Sequence, residues 1–414
     1  MRVLHTSDWH LGHTLRGEVT REYEHGAFLD WLLATCVSEA ADALVITGDV
    51  FDSSTPPASA ERMWFELVAG ARRALPAMDI VAIAGNHDSP ARLGAPSSVL
   101  RELGVHVIGG LPRCADGSID LERVVIPIAG GRGLVAAVPF LRPVDVPAEL
   151  EDPLASIYGE VIAGARTRRT PEQALIVTGH LYMAGADAQF LSERRVSVGG
   201  QESAPLRLFP DDISYVALGH IHRAQRVGRE TIRYAGAPLA LSLDEASYKH
   251  QVLAIDFDGP RVAAIRSIPV PRVIEILRVP RRGAAPLEDV LAELAALPAL
   301  GAVADPARPY LEVVVALARP EPKLRALVEA ALDGKRARLV YLHVEQTGDR
   351  AALADRAGTR RLAELDPRDV FIRLWARDHV EAPGDAVLAA FAELLAEVRG
   401  DRADHGSGPT RLLS

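Results

Sequence analysis

The chain predicts a layered α/β fold, sheets with helices outside them, followed by a smaller α/β module and a terminal helical hairpin. Three observations carry this expectation. Short, β-branched-rich apolar runs alternate with amphipathic helical patterns over residues 1–271. Helices separate the early runs while later strands follow one another directly, the order expected of packed sheets flanked by helices. The texture then changes at Pro269 and Pro271, where a second strand–helix alternation begins.

The strand runs fall at residues 3–6, 43–47, 80–84, 105–108, 124–128, 134–138, 175–178, 215–218, 232–235, 252–257 and 262–268. Each is short and closed by Gly, Pro or Asp, which favours strand over helix. Helical patterns occupy 27–40, 57–74, 95–103 and 154–168, the third opening on Pro96, Ser97 and Ser98. Over 272–347, strands at 273–279 and 310–318 enclose a helix at 287–297, and a helix at 322–332 precedes a strand at 339–344. This predicts a compact α/β module of its own. Residues 348–400 turn helical, with a pair at 367–378 and 385–399 around Ala382-Pro383-Gly384. The polar, Gly-containing residues 401–414 are expected to be disordered.

The 414 residues exceed what one core organises, and 48% apolar with 24% charged residues is a globular profile. No apolar run approaches the roughly 20 residues a membrane span needs. Met1 leads straight into Val3 and Leu4 with no leader pattern, so a cytoplasmic location is expected. Two cysteines, Cys36 in a helical pattern and Cys114 in a loop, exclude a cysteine metal site and argue against structural disulfides. The net charge of −9 is unlike proteins that bind DNA by broad charge neutralisation. Either the substrate is not a long polyanion, or bound cations and a partner protein supply the positive charge.

Five of the apolar runs lead, within one to four positions, to residues that ligate metals. They deliver Asp8-Trp9-His10, Gly48-Asp49-Val50-Phe51-Asp52, Gly85-Asn86-His87-Asp88, Gly179-His180 and Gly219-His220-Ile221-His222. A glycine at a strand end lets the backbone turn sharply, and strands of one sheet sharing a direction would bring these tips together. Mixed carboxylate and imidazole donors suit borderline divalent ions such as manganese, iron or zinc. Two such ions about 3.5–4 Å apart polarise a phosphoryl oxygen and brace in-line displacement. Asp49 is the natural carboxylate to bridge them.

These five motifs, in this order, resemble the calcineurin-like metallophosphoesterases. Further runs narrow the likeness: residues 4–12, Ser192-Glu193-Arg194 with Val198-Gly199-Gly200, residues 215–223, and Tyr234-Ala235-Gly236-Ala237-Pro238-Leu239. They are similar to the nuclease subunits of bacterial ATPase-coupled DNA-repair complexes, closely over the catalytic part and by layout beyond it. Ala237 and Leu243 stand where a serine and an aromatic are expected, and neither is a ligand position.

The resemblance implies a two-sheet metallophosphoesterase sandwich over 1–271, a capping domain over 272–347 and a partner-binding helical segment over 348–400. It implies two divalent metals, manganese above others, with Asp8, His10 and His222 on one, Asn86, His180 and His220 on the other, and Asp49 between. His87 would protonate or stabilise the leaving oxygen, oriented by Asp52, with Asp88 behind the ligands. The implied activities are 3′-to-5′ exonuclease on duplex ends and endonuclease on hairpins and single strands, in repair and recombination. A homodimer is implied, with an ATPase whose coiled coil docks on the C-terminal helices.

The remaining features read more plainly. His5, His13 and His25 are expected to be structural or surface groups, and Trp9 a packing residue. The pairs Arg168-Arg169, Arg194-Arg195 and Arg281-Arg282 read as solvated surface, although Arg194-Arg195 also follows the His180 loop and could flank the substrate path. Val370, Phe371, Leu374 and Trp375 share one helix face, and Val387, Leu388, Phe391, Leu394, Leu395 and Val398 another. These faces pack on each other or the α/β module, or receive a partner helix, the reading favoured here. No Gly-x-x-x-x-Gly-Lys-Ser/Thr loop occurs, so any nucleotide dependence belongs to another protein. Two rival readings remain: another phosphodiesterase or phosphomonoesterase of the superfamily, and a non-catalytic scaffold for the ATPase.

Overall fold

The structure, a computed structural model, describes residues 1–15, 19–146, 150–187, 203–302 and 305–347, with isolated positions between 371 and 391. Two six-stranded sheets face each other. The first runs, edge to edge, Arg261–Pro269, Gln251–Asp258, Arg2–Thr6, Ala43–Thr47, Asp79–Ile83 and Val105–Ile108. Its last four strands are parallel, and the two late ones join antiparallel. The second runs Gln225–Val227, Arg229–Tyr234, Tyr215–Gly219, Ala174–His180, Gly133–Ala136 and Val125–Ile128, parallel inside and antiparallel at both edges.

Strand alternation divides the first sheet's side chains between two cores. Val3, Val45 and Val81 face inward and pack with Val135, Ile176 and Val216 of the second sheet. Their neighbours Leu4, Leu44 and Ile80 face outward onto Phe28, Leu32, Trp64 and Val68. These last belong to the helices Glu22–Ser38 and Ala58–Ala74. Ile157, Val161 and Ala165 of the helix Pro153–Arg168 join the inner cluster. Both faces of the inner strands of the first sheet are thus buried, which is why they read as nearly unbroken apolar runs, while the edge strand Arg261–Pro269 stays largely exposed.

Several boundaries differ from expectation. The helix expected at 95–103 is present as Ser97–Glu102, and a further short one, Pro90–Gly94, precedes it. Pro96 between them has no N–H to continue a helical ladder. A helical turn, Leu121–Val124, precedes the strand expected to begin at Val124, and the first helix starts earlier, at Glu22. A small hairpin, Thr14–Leu15 with Val19–Thr20, was not foreseen.

Beyond Pro269, the central strand Tyr310–Leu317 pairs with Ile276–Val279, Ala285–Pro286 and Arg338–Gln346. Helices Leu287–Ala295 and Leu324–Ala331 cover it through Val290, Leu294 and Val328. Leu15, Ile274 and Tyr310 form an apolar cluster that joins this module to the hairpin, and Met1–Glu345 is one compact unit. Residues Gln346–Ser414 form a second unit. Within it the Phe371 ring stacks on Phe391, centroids 4.3 Å apart, so the two apolar faces meet at that point. The rest of the expected hairpin, the tail at 401–414, and the runs containing Ser192 to Gly200 with Arg194-Arg195 lie outside the described residues. Among the described residues no helix is long and apolar enough to cross a membrane.

Candidate metal centre

The five motif loops converge on one edge of the sandwich, but not from one sheet as expected. The loops after Arg2–Thr6, Ala43–Thr47 and Asp79–Ile83 come from the first sheet, and those after Ala174–His180 and Tyr215–Gly219 from the second. Carboxyl ends of parallel strands are where α/β sheets place ligands, and here two sets face each other. Backbone bonds knit the first two loops: Asp8 N–H to the Gly48 carbonyl at 3.0 Å, His10 N–H to Asp49 at 3.0 Å and Leu11 N–H to Val50 at 2.9 Å. In the second sheet Gly219 pairs with His180, which sets His220 beside it.

Two glycines show what this convergence requires. A Cβ on Gly85 would stand 2.1 Å from Asp49 Oδ1, and one on Gly219 would stand 1.8 Å from the Thr47 carbonyl oxygen of the opposite sheet. Their role is close approach more than the sharp turn expected from sequence. A sharp turn is made at Gly48, with φ of 92° as expected, and others by Asp8, His10, Asp49 and His220, in the left-handed region with φ of 55°, 48°, 49° and 99°. Non-glycine residues there are strained, and such strain collects at functional sites.

The donor atoms fall in three overlapping groups, two of which share Asp49. Asp8, His10 and His222 have ligand atoms within 4.8 Å of one another, as do Asp8, Asp49 and His180, and His10, Asp49 and His87. Asp49 Oδ2 lies 3.6 Å from His10 Nε2 and 3.3 Å from His180 Nε2. Asn86 Oδ1 lies 3.0 Å from His180 Nε2 and 2.9 Å from His220 Nδ1. The six carboxylate and histidine candidates are buried, while Asn86 and His87 are half-buried and mark the open side.

Three of these histidines and His87 are each held through Nδ1, which fixes the ring and turns Nε2 away from that partner. His10 Nδ1 donates to Asp52 Oδ1 at 3.1 Å, and its buried Nε2 has no hydrogen-bond partner among the described residues. His180 Nδ1 donates to the Thr47 carbonyl at 2.8 Å, and His222 Nδ1 to Glu245 Oε1 at 3.0 Å. His87 Nδ1 donates at 2.8 Å to the backbone carbonyl of Asp52, so that residue orients His87 through its main chain and His10 through its side chain. Asp88, fully buried, accepts from Gly85, Val50 and Phe51 N–H groups at 2.8, 3.2 and 2.9 Å and clips two loops together.

The electrostatics suit cation binding. Burial opposes ionisation of Asp49, but the His180 and His10 rings beside it hold its carboxyl well below the usual range. Burial likewise disfavours a charged His180, yet Asp49 outweighs it and pushes the ring up to about 9. Burial, then the charge of His180, pushes His220 down to about 3. An orphaned buried nitrogen on His10, ring nitrogens of His10 and His180 beside Asp49, and that central carboxylate together fit divalent cations of the borderline class.

Other expected groups fall outside this cluster. His5 is buried between the Tyr215 hydroxyl at 2.9 Å and Thr47 Oγ1 at 3.0 Å. His25 is buried with neither ring nitrogen hydrogen-bonded among the described residues. Trp9 packs on Phe28 and Trp64. Arg168 binds Glu122, and Arg169 binds the Gln173 and Asp212 carbonyls. Sequence reasoning missed Glu245, which no motif or fixed spacing marks, and the Thr47 carbonyl, which no side chain could reveal.

Two facing sheets with mixed imidazole–carboxylate donors at their shared edge define a metallophosphoesterase. The calcineurin-like phosphoesterase profile matches residues 1–224, and a profile described as a type 5 capsule protein repressor C-terminal domain matches residues 271–379. The SbcD component of the SbcCD nuclease from Rhodobacter capsulatus is 40% identical over 387 residues, covering 89% of this chain and 91% of that protein. The corresponding SbcCD nuclease components from Escherichia coli K12 and Bacillus subtilis are 34% identical over 280 residues and 38% over 269. These cover 66% and 62% of this chain, and 68% and 66% of the relatives. The chain belongs to the SbcD family of calcineurin-like phosphoesterases.

Proposed function

We propose that the chain is the nuclease component of an SbcCD-type complex, hydrolysing DNA phosphodiesters with two manganese ions. The observation that carries this is Asp49 Oδ2, placed between the inward nitrogens of His10 and His180 at 3.6 and 3.3 Å. One carboxylate spanning two donor groups is the arrangement a pair of neighbouring cations needs. Asp8, His10 and His222 would hold one ion, Asn86, His180 and His220 the other, with Asp49 common to both. Divalent ions held by these residues would supply Lewis acidity for phosphodiester hydrolysis.

The chain's own residues do the rest. His87, on the open side, gives a proton to the departing oxygen, and the Asp52 carbonyl keeps its ring aimed. Asp52, the Thr47 carbonyl and Glu245 fix the rings of His10, His180 and His222. The cations offset local charge on a chain of net −9, and an SbcC-like ATPase, docked through its coiled coil on the C-terminal helices, supplies further DNA contacts. The complex would act in cytoplasmic repair and recombination as a homodimer of this chain. Its substrates would be duplex ends, cut 3′ to 5′, hairpins and single strands.

The test is cleavage of a labelled DNA hairpin and of a cyclic nucleotide by the purified full chain with Mn(II), against an Asp49→Asn control. Hairpin cleavage lost in the control is the expected result. Hydrolysis of the cyclic nucleotide alone would move the protein to another branch of the superfamily.

A further inference from the structure

A chain of hydrogen bonds leaves His222 and ends in the small α/β module. The Glu245 carboxylate that accepts from His222 through Oε1 also accepts the Leu241 N–H through Oε2, at 2.9 Å. The carbonyl of the preceding residue, Ala240, accepts from Arg21 Nη1 at 2.6 Å. Arg21 Nε donates to Glu24 Oε2 at 2.7 Å, and the same oxygen accepts the Tyr310 hydroxyl at 2.8 Å. Tyr310 opens the central strand of the module.

Burial makes these links stiff. Arg21, Glu24, Glu245 and Tyr310 are each no more than 5% exposed. A buried charge that loses its partner is strongly penalised, so these groups move together or not at all. The apolar cluster of Leu15, Ile274 and Tyr310 fixes the far end against the hairpin.

We propose that the small α/β module is a positioning element of the metal centre, acting through Tyr310, Glu24, Arg21 and Glu245 on the ring of His222. The proposal rests on His222 being a metal ligand. Withdrawing the Tyr310 hydroxyl leaves Glu24 short of a donor and loosens its hold on Arg21. Arg21 then holds the Ala240 carbonyl less firmly, and the 240–245 segment that carries Glu245 shifts. The His222 ring loses its fixed orientation, and with it the aim of its inward nitrogen. Any partner that displaces the module would therefore tune the affinity and geometry of a site it never touches.

The test uses the full chain and Mn(II) alone, titrated calorimetrically, with Co(II) absorption as a report on ligand geometry. Glu245→Gln weakens binding by about ten- to a hundredfold. Tyr310→Phe, which removes only the hydroxyl, weakens it by about three- to tenfold and shifts the Co(II) bands, whereas a merely structural loss would lower the urea midpoint and leave the bands as in the parent. The double variant weakens it by less than the product of the two, because both act through one path. Glu24→Gln repeats the measurement if Tyr310→Phe does not fold. Asp49→Asn separates the two levels of reading. If it leaves Mn(II) binding intact, the metal-centre reading is wrong. If it abolishes binding while Tyr310→Phe binds as the parent does, or if the two single effects multiply in full, the positioning role alone is overturned.

Discussion

Asp52 serves two histidines with two different atoms: its carboxylate meets His10 Nδ1 at 3.1 Å and its carbonyl meets His87 Nδ1 at 2.8 Å. A side-chain substitution can therefore separate them. Asp52→Asn is expected to weaken Mn(II) binding about ten- to a hundredfold, through His10, while the His87 ring stays in place. Calorimetric titration checks the first part, and unchanged affinity would detach Asp52 from the metal centre.

His87→Gln should behave in the opposite way. A general acid contributes about a hundred- to ten-thousandfold to rate. Single-turnover hairpin cleavage should fall within that range, with Mn(II) and DNA affinity within about threefold of the parent. A variant that cleaves at the parental rate would refute the acid assignment.

Gly85→Ala tests close approach. The new Cβ would stand 2.1 Å from Asp49 Oδ1, so either the carboxylate or the 85–88 loop must move. Overpacking of this kind costs about 1–3 kcal/mol, and here it also displaces the Asp49 carboxylate. Urea unfolding and Mn(II) titration should both worsen; a fully bound, equally stable variant would contradict the geometry.

Metal affinity should rise with pH. In the metal-free chain Asp49 holds the His180 proton up to about 9, so at neutral pH a cation must displace it. Apparent Mn(II) affinity then gains up to about tenfold per pH unit below that value and levels above it. Titration in buffers of different ionisation enthalpy should detect the released proton.

His5 predicts an acid limb in stability. Burial pushes its ring down to about 3 in the folded state, from an ordinary 6.5. The unfolded chain therefore takes up the proton first. This contribution is complete above 6.5 and is lost as pH falls from there towards 3. His5→Gln should flatten the fall in melting temperature over that window; an unaltered slope would assign the acid limb to other groups.

The candidate ligands were legible because each follows an apolar run and, for four of the five motifs, a glycine, a pattern that survives in one dimension. Their division between two sheets was not, since parallel strand tips look alike whichever sheet they join. The opening of a helix at Pro96 was legible, but the five-residue helix Pro90–Gly94 before it was not, being too short to show a period. Glu245 escaped notice because a carboxylate 23 positions beyond His222, beside Asp244, has no local signature. Asp52 was expected beside His87, but which of its atoms does the holding is a property of folded backbone alone.

The division of donors between facing sheets also sets an order in time. As the chain is synthesised, Asp8, His10, Asp49 and Asn86 emerge early, and none of the donors of the second sheet yet exists. The last ring, His222, and the carboxylate that steadies it, Glu245, arrive more than two hundred residues after Asp8. A ribosome-bound copy therefore cannot fix the His222 ring until position 245 has emerged, and a product ending short of it lacks that contact however well its first half folds.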